Sequence, residues 1–171
     1  MSEFHRPVHV LKGRGTASNL PSRFEAQSRQ GWDDGWAQEE DEAPPPVTTV
    51  RLEDCRSAIA TNDSPDIHFD QSVNPYRGCE HGCIYCYARS THSYLDLSPG
   101  LDFETQLVAK RNIAQVLQRE LARPGYRPSL INIGSATDCY QPIEREYKLT
   151  RAVIEVMAAT GHPFSLVTKS S

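Results

Sequence analysis

The chain has 171 residues, 38% of them hydrophobic, and a formal net charge of −4 at pH 7. A chain of this length can bury one core, and its mild acidity gives no general reason to expect a nucleic acid or a membrane surface as partner. A basic excess within residues 1–29 predicts either a solvated flank or an arm that contacts a phosphate-bearing substrate, and nucleic acid stays a possible partner that the charge does not support. No run approaches the roughly 20 apolar residues of a membrane span, and the N-terminus lacks the apolar segment of a secretory signal. We therefore expect a cytoplasmic protein without membrane contact.

The first 48 residues differ from the rest of the chain, because they contain few strong hydrophobic residues and three consecutive prolines at positions 44–46. Proline-rich segments favour stiff, extended conformations. We predict a mostly irregular arm and linker over residues 1–48 and an α/β domain over residues 49–171. A short β-branched run at residues 47–52 gives only a weak strand prediction.

Later segments alternate between helical and strand patterns. Residues 107–121 carry apolar side chains near the 3.6-residue period and predict an amphipathic helix. Residues 130–134 and 164–168 are short apolar runs typical of buried parallel strands. Between them, residues 150–159 predict a second helix, with Thr150 as a possible N-cap. This order predicts right-handed βαβ units and a parallel sheet, with ligand-binding residues at the carboxyl ends of its strands.

Three of the five cysteines, Cys79, Cys83 and Cys86, have the spacing C-x3-C-x2-C. Thiols stay reduced in the cytoplasm, so this spacing favours a metal or catalysis over disulfides. Thiolates are the usual ligands of iron–sulfur clusters, and Gly78 and Gly82 allow a short loop to turn until three sulfurs converge. A [4Fe–4S] cluster with three protein ligands keeps one iron open to a chelating small molecule.

A zinc site is the alternative, and it would make the protein a structural or interaction module. The same three cysteines, joined by His81, His92 or Cys139, could supply four tetrahedral ligands. Structural zinc usually comes with paired knuckles, whereas this sequence has no second C-x2-C. Outside such a site, Cys139 is expected to be a buried structural thiol.

Residues 74–83, Asn-Pro-Tyr-Arg-Gly-Cys-Glu-His-Gly-Cys, together with Tyr85 and Cys86, closely resemble the cluster segment of the radical S-adenosylmethionine (SAM) superfamily. Within it, residues 13–16, 137–144 and 168–170 make the chain most similar to uncharacterised bacterial proteins related to spore photoproduct lyase. The resemblance implies a [4Fe–4S] cluster, SAM and reductive cleavage of SAM to a 5′-deoxyadenosyl radical that attacks an unknown substrate. It also implies an external one-electron donor such as flavodoxin or ferredoxin.

The resemblance implies a fold as well, a partial (β/α)6 radical SAM barrel. The sequence stops just past a predicted buried strand, which would leave an open sheet edge. We therefore expect residues 49–171 to be the N-terminal part of such a barrel, with the C-terminal part absent. A complete small α/β domain is the alternative.

The resemblance and the strand-end rule together give a set of cofactor-binding residues. Tyr85 is expected beside the adenine, where an aromatic ring can stack on the base, with core packing as its alternative. Ser135, Thr137 and Asp138 are expected at the methionyl group, with capping of the next turn as the alternative for Asp138. Lys169 is expected to pair with the methionyl carboxylate, with a plain surface position as its alternative. No residue is assigned to catalysis.

Overall fold

The computed structural model describes residues 14–16, 24 and 47–170. Within them the strands are β1 (Thr49–Glu53), β2 (Ile59–Thr61), β3 (Gln71–Val73), β4 (Tyr76–Arg77), β5 (Gln106–Lys110), β6 (Ile131–Ile133) and β7 (Phe164–Leu166). The helices are a 3-10 helix (Tyr87–Leu95), α1 (Asp102–Thr105), α2 (Ile113–Leu121), α3 (Glu144–Tyr147) and α4 (Leu149–Thr160). Most of the predicted arm, residues 1–48, lies outside the described residues.

One sheet has the strand order β2-β3-β6-β7, in which β3, β6 and β7 run parallel. All three residues of β6 are buried, as expected of a central strand whose two faces are covered. The predicted strands within residues 130–134 and 164–168, and their parallel pairing, are confirmed. β2 adds to the edge in the antiparallel direction, which the sequence did not predict.

A second sheet has the order β1-β5-β4, and its central strand overturns one prediction. The helix predicted over residues 107–121 begins only at Ile113, because Gln106–Lys110 forms β5. Leu107, Val108 and Ala109 are all buried between β1, which runs parallel, and β4, which runs antiparallel. A strand that is buried on both faces shows consecutive apolar residues, and these residues happened to continue the helical period of α2. The weak strand prediction at residues 47–52 corresponds to β1.

Helices α2 and α4 pack against each other and share one core with the sheets. The largest contributions to this core come from fully buried side chains of both helices and four strands: Val73, Tyr76, Leu107, Ile113, Leu117, Ile131, Ile133, Val153 and Met157. Their burial places the helices on the sheet face and leaves the carboxyl ends of the strands free for polar loops.

The start of α4 corrects a smaller prediction, because Thr150 is not its N-cap. The helix begins at Leu149 and follows Lys148. The Thr150 hydroxyl donates to the Cys139 carbonyl at 2.6 Å, so it bonds outside its own helix. The buried carboxylate of Glu144 caps the helix instead, accepting the backbone N–H groups of Thr150 and Arg151 at 3.0 Å each.

The described part of the chain is therefore a mixed α/β structure with two sheets. The predicted partial barrel remains a prediction. Within residues 14–16, 24 and 47–170, no helix is both long and apolar enough to cross a membrane.

Candidate functional site

A cavity of about 310 Å³ opens at the carboxyl ends of β6 and β7, beside the cysteine loop. Cys79, Cys83 and Cys86 all line it, and so do residues from the segments 134–138 and 167–169. Its volume lies at the lower end of the roughly 300–1,000 Å³ of small-molecule sites. The fold thus brings together the three cysteines and the two strand-end segments that lie up to 90 residues apart in sequence.

Gly78 and Gly82 shape the cysteine loop. Their φ angles are 77° and 60°, in the left-handed region that glycine tolerates and most residues do not. A Cβ atom at Gly78 would also lie 2.6 Å from Leu107 Cδ2 and 2.9 Å from the Phe103 carbonyl oxygen. That carbonyl accepts the Cys79 N–H at 2.9 Å. The prediction that these glycines permit the tight turns of the loop is confirmed.

The three thiols lie in different environments, and none forms a disulfide. Cys79 is buried, whereas Cys83 and Cys86 are partly exposed. Burial raises the pKa of the Cys79 thiol to about 11, so a metal that binds it at neutral pH must displace a proton. The Lys169 ammonium lies 3.2 Å from Cys83 Sγ, and its hydrogen bond to that sulfur raises the pKa of Lys169.

Asp138 links the loops that follow β6 and β7. Its Oδ1 accepts the Tyr140 N–H at 2.8 Å and the Thr168 hydroxyl at 2.7 Å, and its Oδ2 accepts the Lys169 N–H at 2.7 Å. The turn-capping alternative for Asp138 is therefore confirmed. The same carboxylate also fixes the backbone of Lys169 at the cavity, where the lysine side chain reaches Cys83. A contact of Asp138 with a cofactor stays a prediction.

Thr137 and Ser135 line the cavity, but their side chains already bond to the protein. Thr137 is buried, and its hydroxyl donates to the Gly78 carbonyl at 2.7 Å. Ser135 Oγ accepts from the Asn74 amide at 3.1 Å. Both residues therefore connect the loop after β6 to the segment that leads into the cysteines. Asn74 was not predicted as a site residue, although it begins the motif quoted above.

Two tyrosines lie at the rim of the cavity. Tyr85 is 79% exposed, so the alternative that it packs in the core is wrong. Tyr87 is similarly exposed, and its hydroxyl donates to the Ser135 carbonyl. The aromatic face of Tyr85 is thus open to a ligand, whereas Tyr87 braces the loop after β6.

Glu80 and Gln141, two buried side chains that sequence reasoning missed, support the cysteine loop from behind. The Glu80 N–H donates to Gln141 Oε1 at 3.0 Å, and Gln141 Nε2 donates to the Gly78 carbonyl at 3.2 Å. Glu80 Oε2 accepts the Ile143 N–H at 3.0 Å. Both residues lie inside the quoted motifs, which was the available signal. Their mutual contact joins positions 61 residues apart, which no local pattern reveals.

Residues 14–16 of the predicted arm pack on the cysteine loop rather than standing apart from it. The Arg14 guanidinium donates to the Glu104 carbonyl and to Thr48 Oγ1, at 2.7 Å each, and lies 3.4 Å from a Glu80 carboxylate oxygen. The Gly15 N–H donates to the Glu104 carboxylate at 3.1 Å. We call this set of contacts the arm clamp: Arg14, Gly15, Thr48, Glu80 and Glu104.

Glu104 is the buried centre of the arm clamp, with no exposed surface. Besides Gly15, its carboxylate pairs with the Arg89 guanidinium, which also donates to the Gly82 carbonyl at 2.7 Å and the Cys83 carbonyl at 2.9 Å. A chain of charge-assisted hydrogen bonds therefore runs from the arm to the backbone between the first two cysteines. Charge-assisted bonds that are protected from water are strong, so they fix the backbone conformation of the cysteine loop.

The possible fourth ligands of a zinc site are dispersed. His81 lines the cavity with the cysteines, whereas His92 and Cys139 do not. The buried His92 bonds through Nε2 to the Gln106 carbonyl at 2.9 Å, and burial raises the pKa of the Cys139 thiol to about 12, as expected of a structural thiol. The described residues contain no group of three His, Cys, Asp or Glu side chains spaced for one metal ion.

Comparisons with known proteins give relatives without an assigned function. Uncharacterised proteins of Mycobacterium bovis and Mycobacterium tuberculosis are each 47% identical to this chain over 120 residues, which are 68% of this chain and 35% of the relative. An uncharacterised protein of Methanocaldococcus jannaschii is 29% identical over 98 residues, 57% of this chain and 34% of the relative. The chain spans about a third of the length of these relatives. No family model and no solved structure matches.

Proposed function

We propose that this chain is the cofactor-binding part of a radical SAM enzyme, in which Cys79, Cys83 and Cys86 hold a [4Fe–4S] cluster. The observation that carries the proposal is the shared cavity, which is lined by all three cysteines and by the loops after β6 and β7. A cluster with three protein ligands keeps one iron open. A chelating cofactor therefore needs space directly beside the thiols, and this cavity provides that space.

The donor set fits such a cluster. Each thiolate of a four-iron cluster binds its own iron, so the three sulfurs need not surround a single point. The Lys169 ammonium, 3.2 Å from Cys83 Sγ, offsets part of the negative charge of three thiolates. When bound, the cluster supplies one electron to the sulfonium of SAM, which cleaves to methionine and a 5′-deoxyadenosyl radical.

The chain's own residues orient the second cofactor. Asp138 holds the Lys169 backbone, so the lysine ammonium stays at the cavity, where it suits a carboxylate. The exposed face of Tyr85 suits an adenine, because aromatic rings stack on bases. Thr137 and Gln141 fix the Gly78 carbonyl, so they set the position of the loop that carries the thiols.

Anaerobic reconstitution with iron and sulfide tests the cluster. We expect about four iron and four sulfide per chain, with the broad visible absorbance of a cluster. Alanine at Cys79, Cys83 or Cys86 should abolish it. Alanine at Cys55 or Cys139, which do not line the cavity, should leave most of the iron bound. A colourless protein with one zinc per chain would instead establish the zinc alternative.

Electron paramagnetic resonance tests the open iron. Adding SAM to the reduced cluster should change its spectrum, because the amino and carboxylate groups of SAM would enter the coordination shell of one iron. Replacing Lys169 with Met should raise the SAM concentration required for this change about tenfold, as expected when a charge-assisted contact is lost. A spectrum that SAM leaves unchanged at saturation would indicate plain electron transfer.

A further inference from the structure

A second cavity, of about 270 Å³, lies next to the first and is lined by two cationic side chains. Arg77 and Lys110 line it, and Asn74 and Ala136 complete one wall. The side-chain oxygen Oδ1 of Asn74 accepts the Ala136 N–H at 2.7 Å, so the loop after β6 separates the two cavities. Lys110 belongs to the part of the chain that the cofactor proposal leaves without a role.

The strand register explains why both cations face the same side. Arg77 in β4 lies opposite Val108 in β5, and the side chains of Val108 and Lys110 project from the same face of β5. Arg77 and Lys110 are thus diagonal neighbours on one face of the sheet. Two like charges at this spacing repel each other unless an anion lies between them.

No carboxylate among the described residues neutralises this pair. Neither cation has an Asp or Glu oxygen within the 4 Å of an ion pair in that part of the chain, and no acidic side chain lines the cavity there. Glu53 is the register partner of Lys110 on β1, but its carboxylate lies 3.9 Å from Arg51. Burial, and then the charge of Arg77, lower the pKa of the Lys110 ammonium, and the nearby charge of Glu53 offsets this lowering only in part.

We infer that this cavity binds a phosphate group, which Arg77 and Lys110 hold from two sides. A phosphate dianion offsets both cations, whereas a carboxylate offsets only one. Arginine offers a planar fork of donors and lysine a compact point charge, and both suit phosphate oxygens. Three other polar side chains of the wall are already bonded: Thr91 donates to the Ala88 carbonyl at 2.6 Å, Tyr76 donates to the Glu144 carboxylate, and Asn74 holds residues 135 and 136. Recognition therefore depends on charge, so the same site accepts inorganic phosphate or a phosphate monoester.

Calorimetric titration of the protein, in iron-free and iron-loaded forms, tests this inference with inorganic phosphate, glycerol 3-phosphate and acetate at one ionic strength. We expect saturable binding of both phosphates, whichever form is used, and binding of acetate that is at least about tenfold weaker. Tighter binding of the monoester than of inorganic phosphate would identify a phosphorylated small molecule as the source of the group. The reverse order would identify free phosphate.

Variants test whether the two cations form the site. Lys110→Gln should weaken phosphate binding about tenfold or more, because a charge-assisted contact is lost, and Lys110→Arg should restore most of it. Arg119→Gln, at an exposed position of α2, removes an equal charge and should leave the affinity unchanged. Thermal melting without phosphate checks that each variant is folded. The inference is overturned if the parent protein binds neither phosphate, binds acetate equally well, or retains its affinity in folded Lys110→Gln. If no cluster forms, the proposed function fails, but phosphate binding to the iron-free protein still tests this inference.

Discussion

At the scale of single residues, the closest approach in the site is between Gly15 of the arm and the cysteine loop. A Cβ atom at Gly15 would lie 1.9 Å from the Gly82 carbonyl oxygen, far inside van der Waals contact. The arm therefore reaches its position only because residue 15 has no side chain. Its docking in turn places Arg14 against Glu80 and the Glu104 carbonyl.

We predict that Gly15→Ala loosens the arm clamp and lowers the free energy of unfolding by about 1–3 kcal/mol, as overpacked positions do. Because the clamp supports the cysteine loop, reconstituted iron should also be lost severalfold faster to a chelator. Gly125→Ala is the control, since its φ of 83° strains an alanine but its Cβ would meet nothing. That variant should lower stability without faster iron loss. Equal rates of iron loss in both variants would show that the arm clamp does not stabilise iron binding.

Glu104 gives a second test at this scale. Glu104→Gln removes the charge that the Arg89 guanidinium requires in a water-excluded site, and breaking such a pair costs about 3–5 kcal/mol. The matched control is Glu155→Gln, whose partner Arg151 lies 3.0 Å away on the exposed face of α4. That exposed pair should contribute less than about 0.5 kcal/mol. Chemical denaturation of both variants measures the difference, and equal losses would mean that Glu104 does not hold a buried pair.

The site residues divide by the range of the interactions that fix them. The spacing of the three cysteines and the two loop glycines, Gly78 and Gly82, are local features, so the sequence predicted both the loop and its turns. Asp138 was predicted as either a cofactor ligand or a turn cap, and the structure shows the cap together with a bond to Lys169. That second bond spans 31 residues, and the bond between Gly15 and Glu104 spans 89. Contacts between residues so far apart in sequence depend on the fold and produce no periodic pattern in the sequence.

At the scale of elements, β5 shows why hydrophobic periodicity misleads at a strand–helix junction. Leu107 and Val108 precede the apolar positions of α2 at intervals that fit one helix, although the chain turns between them at residues 111 and 112. Only the pairing with β1 and β4 identifies the segment as a central strand. In contrast, α4 has buried residues only on one face and a glycine in the left-handed region directly after it, so its extent was predicted within a residue.

Lys148 joins α3 to α4 in a left-handed conformation, with φ of 52°. This conformation strains any residue with a Cβ, and the exposed side chain makes no hydrogen bond or ion pair among the described residues that would compensate. We therefore predict that Lys148→Gly raises the free energy of unfolding by up to about 1 kcal/mol. Arg145→Gly, inside α3 and equally exposed, should lower it by about the same amount. Thermal melting measures both changes in stability, and a loss of stability in Lys148→Gly would show that the left-handed conformation of Lys148 is not strained.

At the scale of the whole molecule, the two sheets differ in how their outer strands are protected. β1 carries Arg51 and Glu53 along an outer edge, and charged side chains discourage pairing with another chain. β7 consists of Phe164, Ser165 and Leu166 and pairs only with β6 among the described strands. Among the described strands it is therefore an outer strand without a charged side chain, as is β2 at the other edge of the same sheet.

We predict that residues 1–171, prepared on their own, associate with themselves through the edge of β7 in a concentration-dependent manner. Phe164→Lys, at a position 38% exposed, places a charge on that edge and should shift sedimentation toward the monomer. Val47→Lys adds the same charge at an 82% exposed position before β1 and should leave the association unchanged. If both variants behave alike, the edge of β7 is not the contact.

Sequence order predicted the parallel strands β6 and β7 because each is followed by a local change of pattern. The cavity lies at the carboxyl ends of these strands, where ligand sites are expected in parallel sheets. The second sheet was not predicted, because its central strand β5 was predicted as part of a helix and its outer strand β4 is only two residues long. A strand so short carries no periodic signal of its own.

The arm clamp also has a consequence for the order of events during synthesis. Gly15 leaves the ribosome 89 residues before Glu104, its hydrogen-bond partner, and the cysteines leave before Glu104 as well. At about 5–20 residues per second, the arm waits roughly 4–18 seconds for the residue on which it docks. The cysteines leave only 18–25 residues before Glu104, so for roughly 1–5 seconds the thiols of the nascent chain lie open to whatever delivers iron or oxidises them. By the time the arm clamp forms, the thiols of the cysteine loop can therefore already have bound iron or been oxidised.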